Sequence, residues 1–161
     1  MCAYFLKEKT LAERTLVLLK PDAVQRGLVG EIVGRLENRG WKIVGLKFMR
    51  MTDEVARKHY AEHVEKPFFP GLAAFMMSRP IIAIALEGEN VVDAVRKSMG
   101  STNPQDANPG TIRGDLAVNI GRNLIHGSDS VESAIRELAI FFNGEELYEY
   151  EREADNWVTE S

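Results

Sequence analysis

Three histidines, His59, His63 and His126, are the side chains best suited to chemistry near neutral pH in this chain. Imidazole alone titrates there unperturbed, and it can act as base, nucleophile or metal ligand. His59 and His63 stand four apart, a spacing that puts two zinc ligands on one helical face. Such a site needs a third ligand and usually a glutamate directly after the first histidine. Tyr60 stands there instead, so the pair reads as a half-buried helix face. His126 differs. It lies in Asn123-Leu124-Ile125-His126-Gly127-Ser128-Asp129, where a glycine lets the backbone turn and a hydroxyl and a carboxylate come within reach of the ring. This is the pattern of a reactive histidine at a strand end, with a structural histidine as the alternative.

Phosphate chemistry would need side chains. No Gly-x-x-x-x-Gly-Lys-Ser/Thr loop is present, and Gly27, Gly30 and Gly34 match no dinucleotide fingerprint. The candidates are Lys20 behind the first strand, Arg96 beside the apolar stripe of a helix, and Thr102 and Arg113 in a long loop. Each alone reads equally as a solvated charge or a turn residue, and spacing cannot place them in one cleft.

The elements that must do so are legible in outline. A strand at 15–19 ends at Lys20-Pro21. Leu28, Ile32 and Leu36 with Val29 and Val33 predict a helix that Gly40 stops. A half-exposed strand follows over 41–51, then a helix capped by Thr52 or Asp53 whose stripe runs through Val55, His59 and His63 beside Ala56, Tyr60 and Val64. A short apolar helix over 72–77 precedes a strand at 81–86 buried on both faces, and Val91, Val92, Val95 and Met99 mark the next helix. Residues 100–115 read as a long loop with only Ala107 and Ile112 apolar, a length that signals function. A strand at 124–126 then leads to Asp129-Ser130-Val131-Glu132, a capping-box pattern opening the helix of Ala134, Ile135 and Leu138. Six acidic residues over 145–155 surround Tyr148 and Tyr150, with Trp157 beyond, which predicts a solvated stretch that packs in part. Single strands separated by helices imply a helix-covered sheet of about four strands, an α/β or α+β sandwich in one domain.

Composition bounds the function classes. At 161 residues and 45% hydrophobic content the chain can bury a full core, which excludes collagen-like, disordered and disulfide-stapled classes. The net charge of -4 argues against non-specific nucleic-acid binding. It hides an asymmetry: residues 1–80 carry 14 basic and 9 acidic side chains, a balance of +5, and residues 81–161 carry 6 and 15, a balance of -9. An anion site must therefore be local. The single cysteine, Cys2, offers no intrachain disulfide, the run 81–86 is far too short to span a membrane, and the N-terminus lacks the pattern of a signal peptide. The expectation is a cytoplasmic protein with no membrane contact.

Taken together, the segments VLLKPD (17–22), VQRGLVG (24–30), KPFF (66–69), STNP (101–104), PGTIRGD (109–115) and NLIHGSD (123–129) strongly resemble the nucleoside diphosphate kinase family in order and spacing. NLIHGSD is the most specific of them, and the resemblance covers about residues 13–158. It implies a domain over 13–161 behind an extension of residues 1–12, and a ferredoxin-like, four-stranded antiparallel sheet covered by helices. It also implies a ping-pong transfer of the γ-phosphoryl group from a nucleoside triphosphate to a diphosphate through phosphohistidine. By the match His126 is the nucleophile, Glu137 holds its other ring nitrogen, Ser128 assists, and Tyr60 is the ring beside it. Lys20, Arg96, Thr102 and Arg113 match the phosphate ligands, Asn123 with Lys20 the sugar contacts, and Phe68 the base-stacking ring with Leu72 and Ile120 at its edges. Mg²⁺ is implied on the nucleotide phosphates, with no protein cage and with Asp129 approaching through water. A homo-oligomer is also implied, the tail and the loop with Pro104 favouring a hexamer over a tetramer. The alternatives are a catalytically idle relative serving as a nucleotide-binding or scaffolding module, and a phosphohistidine phosphatase or mutase, whose Arg-His-Gly motif the sequence lacks.

Overall fold

The computed structural model describes residues 12–160, so the N-terminal extension lies outside the described residues but for Ala12. The first strand, β1 (Glu13–Leu19), is buried from Thr15 onward because it is paired on both sides. It lies between β3 (Ile81–Gly88) and β4 (Ile125–Gly127), and β2 (Lys42–Met49) pairs with the far side of β3. All three pairings are antiparallel and the order is β2-β3-β1-β4, the ferredoxin-like arrangement.

Side chains alternate across a strand, so each buried strand supplies two cores. Val17, Leu19, Ile82, Ile84 and Leu86 meet α1 (Pro21–Gln25), α2 (Val29–Asn38), α5 (Val91–Met99) and α6 (Ile112–Leu116). Leu16, Leu18, Ile81, Ala83 and Ala85 meet α3 (Asp53–His59), α4 (Phe69–Met77) and α7 (Val131–Phe141). The continuous apolar run at 81–86 therefore reports cover on both faces.

Three sequence expectations are revised. The helix expected through His63 stops at His59: Tyr60 leaves helical geometry with φ -99° and ψ 31°, and Ala61–His63 form a separate 3-10 turn. His59 and His63 thus do not share one continuous helical face. The segment 100–115 is ordered rather than open loop, holding a 3-10 turn at Pro104–Asp106 and entering α6, whose Thr111 hydroxyl accepts from the Gly114 N–H. The capping box before α7 is half formed. Ser130 accepts from the Ser133 N–H, but a serine stands at the third helical position, so no carboxylate reaches back. The Thr52 cap of α3 is as expected, its hydroxyl accepting from the Val55 N–H at 3.2 Å.

The acidic C-terminal stretch is pinned along β2, as the aromatic residues within it suggested. The Tyr148 N–H donates to the Val44 carbonyl, the Tyr150 hydroxyl to that of Ile43, and Arg152 to those of Gly40 and Trp41. Trp157 is exposed.

Candidate active site

His126 enters the sheet opposite Leu18 of β1, and the chain then turns through Ser128 into α7, whose second turn carries Glu137 back to the strand it left. His126 Nε2 lies 2.9 Å from Glu137 Oε2, and the buried Ser128 hydroxyl donates to the same oxygen at 2.7 Å. An ionised carboxylate only accepts, so Nε2 carries the ring proton and Nδ1 keeps its lone pair. Burial works to raise the Glu137 pKa, but the hydrogen bonds from His126 and Ser128 outweigh it and hold the carboxyl down at about 2. The acceptor is charged at any working pH.

The ring stacked edge-on against His126 is His59, at 4.7 Å between centroids and 85° between planes, with Tyr60 packed on His59 at 4.5 Å. His59 is buried, neither of its nitrogens has a hydrogen-bond partner, and burial reinforced by His126 pushes its pKa down to about 3. It is a neutral wall. Burial, then Glu137, raises the Tyr60 phenol above its ordinary value. His63 turns elsewhere, 5.5 Å from Phe68.

The turn entering β4 is strained. Leu124 has φ +70°, and the Ile125 N–H donates to the Asn123 carbonyl at 2.8 Å, closing a γ-turn of the rare positive-φ form. For a leucine this costs about 1–3 kcal/mol and persists only where surrounding bonds over-determine it. Here they do. The Lys20 N–H donates to the Leu124 carbonyl, Asp22 Oδ2 accepts from the Leu124 N–H, and Arg113 donates to the carbonyls of Asn123, Ile125 and Gly100. The Asn123 side chain is fixed in turn, accepting from Lys20 Nζ at 2.6 Å and donating to the Thr102 carbonyl at 2.8 Å.

The scattered cations do meet. Lys20 is pushed down to about 8 by burial and by Arg113, with Asp22 pulling the other way. Arg113 is lowered to about 10 by burial and by Arg96, and Arg96 donates to the Gly127 carbonyl beside His126. The Arg113 charge acts on Lys20 and the Arg96 charge on Arg113, so the three cations are electrostatic neighbours around the turn that enters β4. A cleft of about 550 Å³ opens beside Arg96, Ser101, Thr102 and Thr111. Arg113 departs from a simple ligand role, since three of its donors are spent on backbone carbonyls and it is buried. Two of the five N–H groups of a guanidinium remain. Phe68 and Ile120 are exposed apolar side chains, Leu72 is half-buried, and Asp129 is exposed with its carboxyl held below the usual range by the Ser133 hydroxyl.

Two members of the site were not assigned to it from the sequence: His59, which read as part of a half-buried helix face, and Asp22, which reaches a backbone N–H 102 residues away. The only signal for Asp22 was its place in VLLKPD.

A sequence model of the family described as Nucleoside diphosphate kinase matches residues 13–147. The nucleoside diphosphate kinase of Heliobacterium modesticaldum is 58% identical over 148 residues, covering 92% of this chain and 99% of the relative. A halophilic nucleoside diphosphate kinase from Halobacterium salinarum, solved in complex with CDP, superposes with a TM-score of 0.90 at 53% identity over 92% of this chain and 99% of its own. A nucleoside diphosphate kinase family protein from Babesia bovis gives 0.89 at 41%, over 91% and 99%. With a histidine, its carboxylate and a cluster of cations assembled on the sheet those structures share, the chain belongs to the nucleoside diphosphate kinase family of phosphotransfer enzymes.

Proposed function

We propose that this chain carries out nucleoside diphosphate kinase activity by forming a phosphohistidine on His126. The observation that carries the reading is the 2.9 Å contact of Nε2 with Glu137, which fixes the proton there and leaves Nδ1 as the nucleophile. Nδ1 attacks the γ-phosphorus of the triphosphate as the bond from that phosphorus to the β–γ bridging oxygen breaks. The diphosphate leaves with the electron pair. A second diphosphate then attacks the phosphohistidine through its terminal oxygen, and the imidazole recovers its lone pair. Ser128, bonded to the same carboxylate, keeps that oxygen in place as charge builds on the ring.

Lys20, Arg96, Thr102 and the two free N–H groups of Arg113 would hold the phosphates, stabilising charge that spreads over the transferring group. Asn123, held by Lys20 and the Thr102 backbone, would meet the ribose, and Phe68 would stack on the base between Leu72 and Ile120, with Tyr60 and His59 closing the wall behind the ring. A flat aromatic face accepts any base. Nucleoside di- and triphosphates are the proposed partners, and the CDP complex of the Halobacterium relative supports nucleotide binding.

Mg²⁺ is proposed as a passenger of the nucleotide, where it neutralises phosphate charge. Among the described residues, the grouping of His59, His126 and Glu137 brings three ligand atoms within 4.8 Å, but two nitrogens and one carboxylate do not fit an ion that takes six oxygens. A homo-oligomer, by the resemblance a hexamer, is proposed; the edge strand β2 presents Leu46 and Phe48 to solvent, 49% and 64% exposed, an apolar surface suited to contact between copies. A cytoplasmic site is proposed from a sequence with a single cysteine, and no helix among the described residues is long and apolar enough to cross a membrane.

Incubation with γ-labelled ATP and no acceptor should give an acid-labile, base-stable label, and His126→Gly should abolish both label and exchange. Label surviving that substitution would sink the reading.

A further inference from the structure

Leu124 is fully buried in the core formed with Val17, Val95 and Ile112, so its side chain is needed, yet its backbone sits where a glycine would be at ease. The strain must be held from outside. Arg113 and the Lys20 N–H act on the carbonyls of the turn, and Asp22 alone acts on the Leu124 N–H, at 3.0 Å. That N–H belongs to the peptide plane joining Asn123 to Leu124, and fixing the plane from this side decides where the Asn123 side chain starts. Lys20 and Asp22 therefore clamp both backbone groups of one residue, two positions before His126. Pro21, which sits between them with its φ locked, makes the clamp stiff.

The choice of an aspartate is informative. Its Oδ1 is buried without a partner, and a neutral acceptor would bond one N–H with less desolvation. A charged acceptor makes that one bond stronger than a neutral one would, which is useful where a strained peptide plane must not relax.

We infer that Asp22 is a positioning residue for phosphoryl transfer: through the Leu124 N–H its carboxylate holds the γ-turn at 123–125 in the form that sets the Asn123 amide and the His126 ring at their working separation. The inference rests on the phosphohistidine reading above.

The experiment measures the single-turnover rate of phosphoenzyme formation and the KM for ATP in the parent, Asp22→Asn and Asp22→Ala. Misplacement of reacting groups by about an ångström costs on the order of 100-fold, so Asp22→Ala should lose about that in rate with KM nearly unchanged. Asp22→Asn, which keeps a weaker acceptor, should recover to within about 5-fold of the parent without reaching it. A variant with a lowered Tm but the parent's rate would show a merely structural role and overturn the inference, as would a loss confined to KM. The sharper comparison is between backgrounds that lose the same core side chain. In Leu124→Gly the backbone reaches its φ unaided, and removing Asp22 should cost less than about 5-fold, whereas in Leu124→Ala the full penalty should remain. Equal penalties in the two backgrounds would overturn it. Should Asp22→Ala not fold, Asp22→Asn decides alone, an unchanged rate being the refutation. Absence of phosphoenzyme in the parent would overturn the phosphohistidine reading and this inference with it, whereas a labelled parent with indifferent Asp22 variants overturns only the inference.

Discussion

Lys20 should take up a proton when a nucleotide binds. Burial and Arg113 lower its pKa to about 8 in the empty protein, with Asp22 resisting. A lysine with its pKa lowered to that value is charged below it and neutral above it. Phosphates placed against the ammonium favour the charged form and return it toward the ordinary range near ~10.4. The neutral fraction of the empty protein is then about 0.1 at pH 7, about 0.5 at pH 8 and about 0.9 at pH 9, and binding must fill that deficit. The same linkage weakens affinity by about 10-fold between pH 7 and pH 9, or ~1.4 kcal/mol. Calorimetric titration with ADP in buffers of differing ionisation enthalpy reads the uptake directly, and the phosphates of ADP are fully ionised above pH 8. Lys20→Arg, charged throughout, removes this contribution and subtracts every other group that titrates in the window. Uptake below about 0.1 proton at pH 8, together with a Kd flat from pH 7 to pH 9, would refute the placement of Lys20 against the phosphates.

The buried His59 predicts an acid weakness. Its pKa is held at about 3 by burial and His126, so between that value and ~6.5 the unfolded chain binds a proton the folded chain refuses. Stability is complete above pH 6.5 and falls by about 1.4 kcal/mol per pH unit below it, reaching a loss of about 2 kcal/mol at pH 5. Urea denaturation of the parent and His59→Phe at pH 7 and pH 5 checks this, and equal acid losses would contradict it. Arg113→Lys cannot reproduce three carbonyl bonds, so it should lower the denaturation midpoint, with a stability loss of about 2–4 kcal/mol, as well as kcat; a loss of kcat at unchanged stability would place Arg113 on substrate alone. Phe68→Ala should raise KM for all bases alike, by the ~1–3 kcal/mol of a stacking contact, and an effect confined to one base would argue for edge recognition.

The parts of the site nearest in sequence were the most legible. His126 and Ser128 stood out by residue type within one short segment, whereas Glu137 on the following helix came only from the family resemblance, and the structure brings all three together on one strand–turn–helix unit. Helical periodicity held through His59, which the end of α3 keeps on its buried face, and misled where it was extended past Tyr60, because nothing in the residues marks the break that turns His63 toward Phe68. Apolar residues are sparse at 100–115, and the segment read as a loop; its order comes from capping by Asn103 and Thr111 and from Arg113 bonding to distant carbonyls. Arg113 itself was legible as a cation and not as a backbone brace. The bracing role of Asp22 was hidden for the same reason, since its partner is a main-chain N–H whose orientation no side-chain pattern encodes.

The place of β4 in the topology has a consequence for biosynthesis. The strand bearing His126 is three residues long, pairs among the described residues only with β1 more than a hundred residues earlier, and is followed by the helix that brings Glu137. A chain emerging from the ribosome can close that long loop only after β4 itself has emerged. Lys20, Arg96 and Arg113 all precede His126, the proposed nucleophile, in the chain. On the proposed mechanism, a nascent or truncated protein ending before α7 would carry these cations without Glu137 to orient the imidazole, and should not transfer a phosphoryl group. Recovery of phosphotransfer should accordingly be the last signal to return on refolding, after helical content and after burial of the sheet.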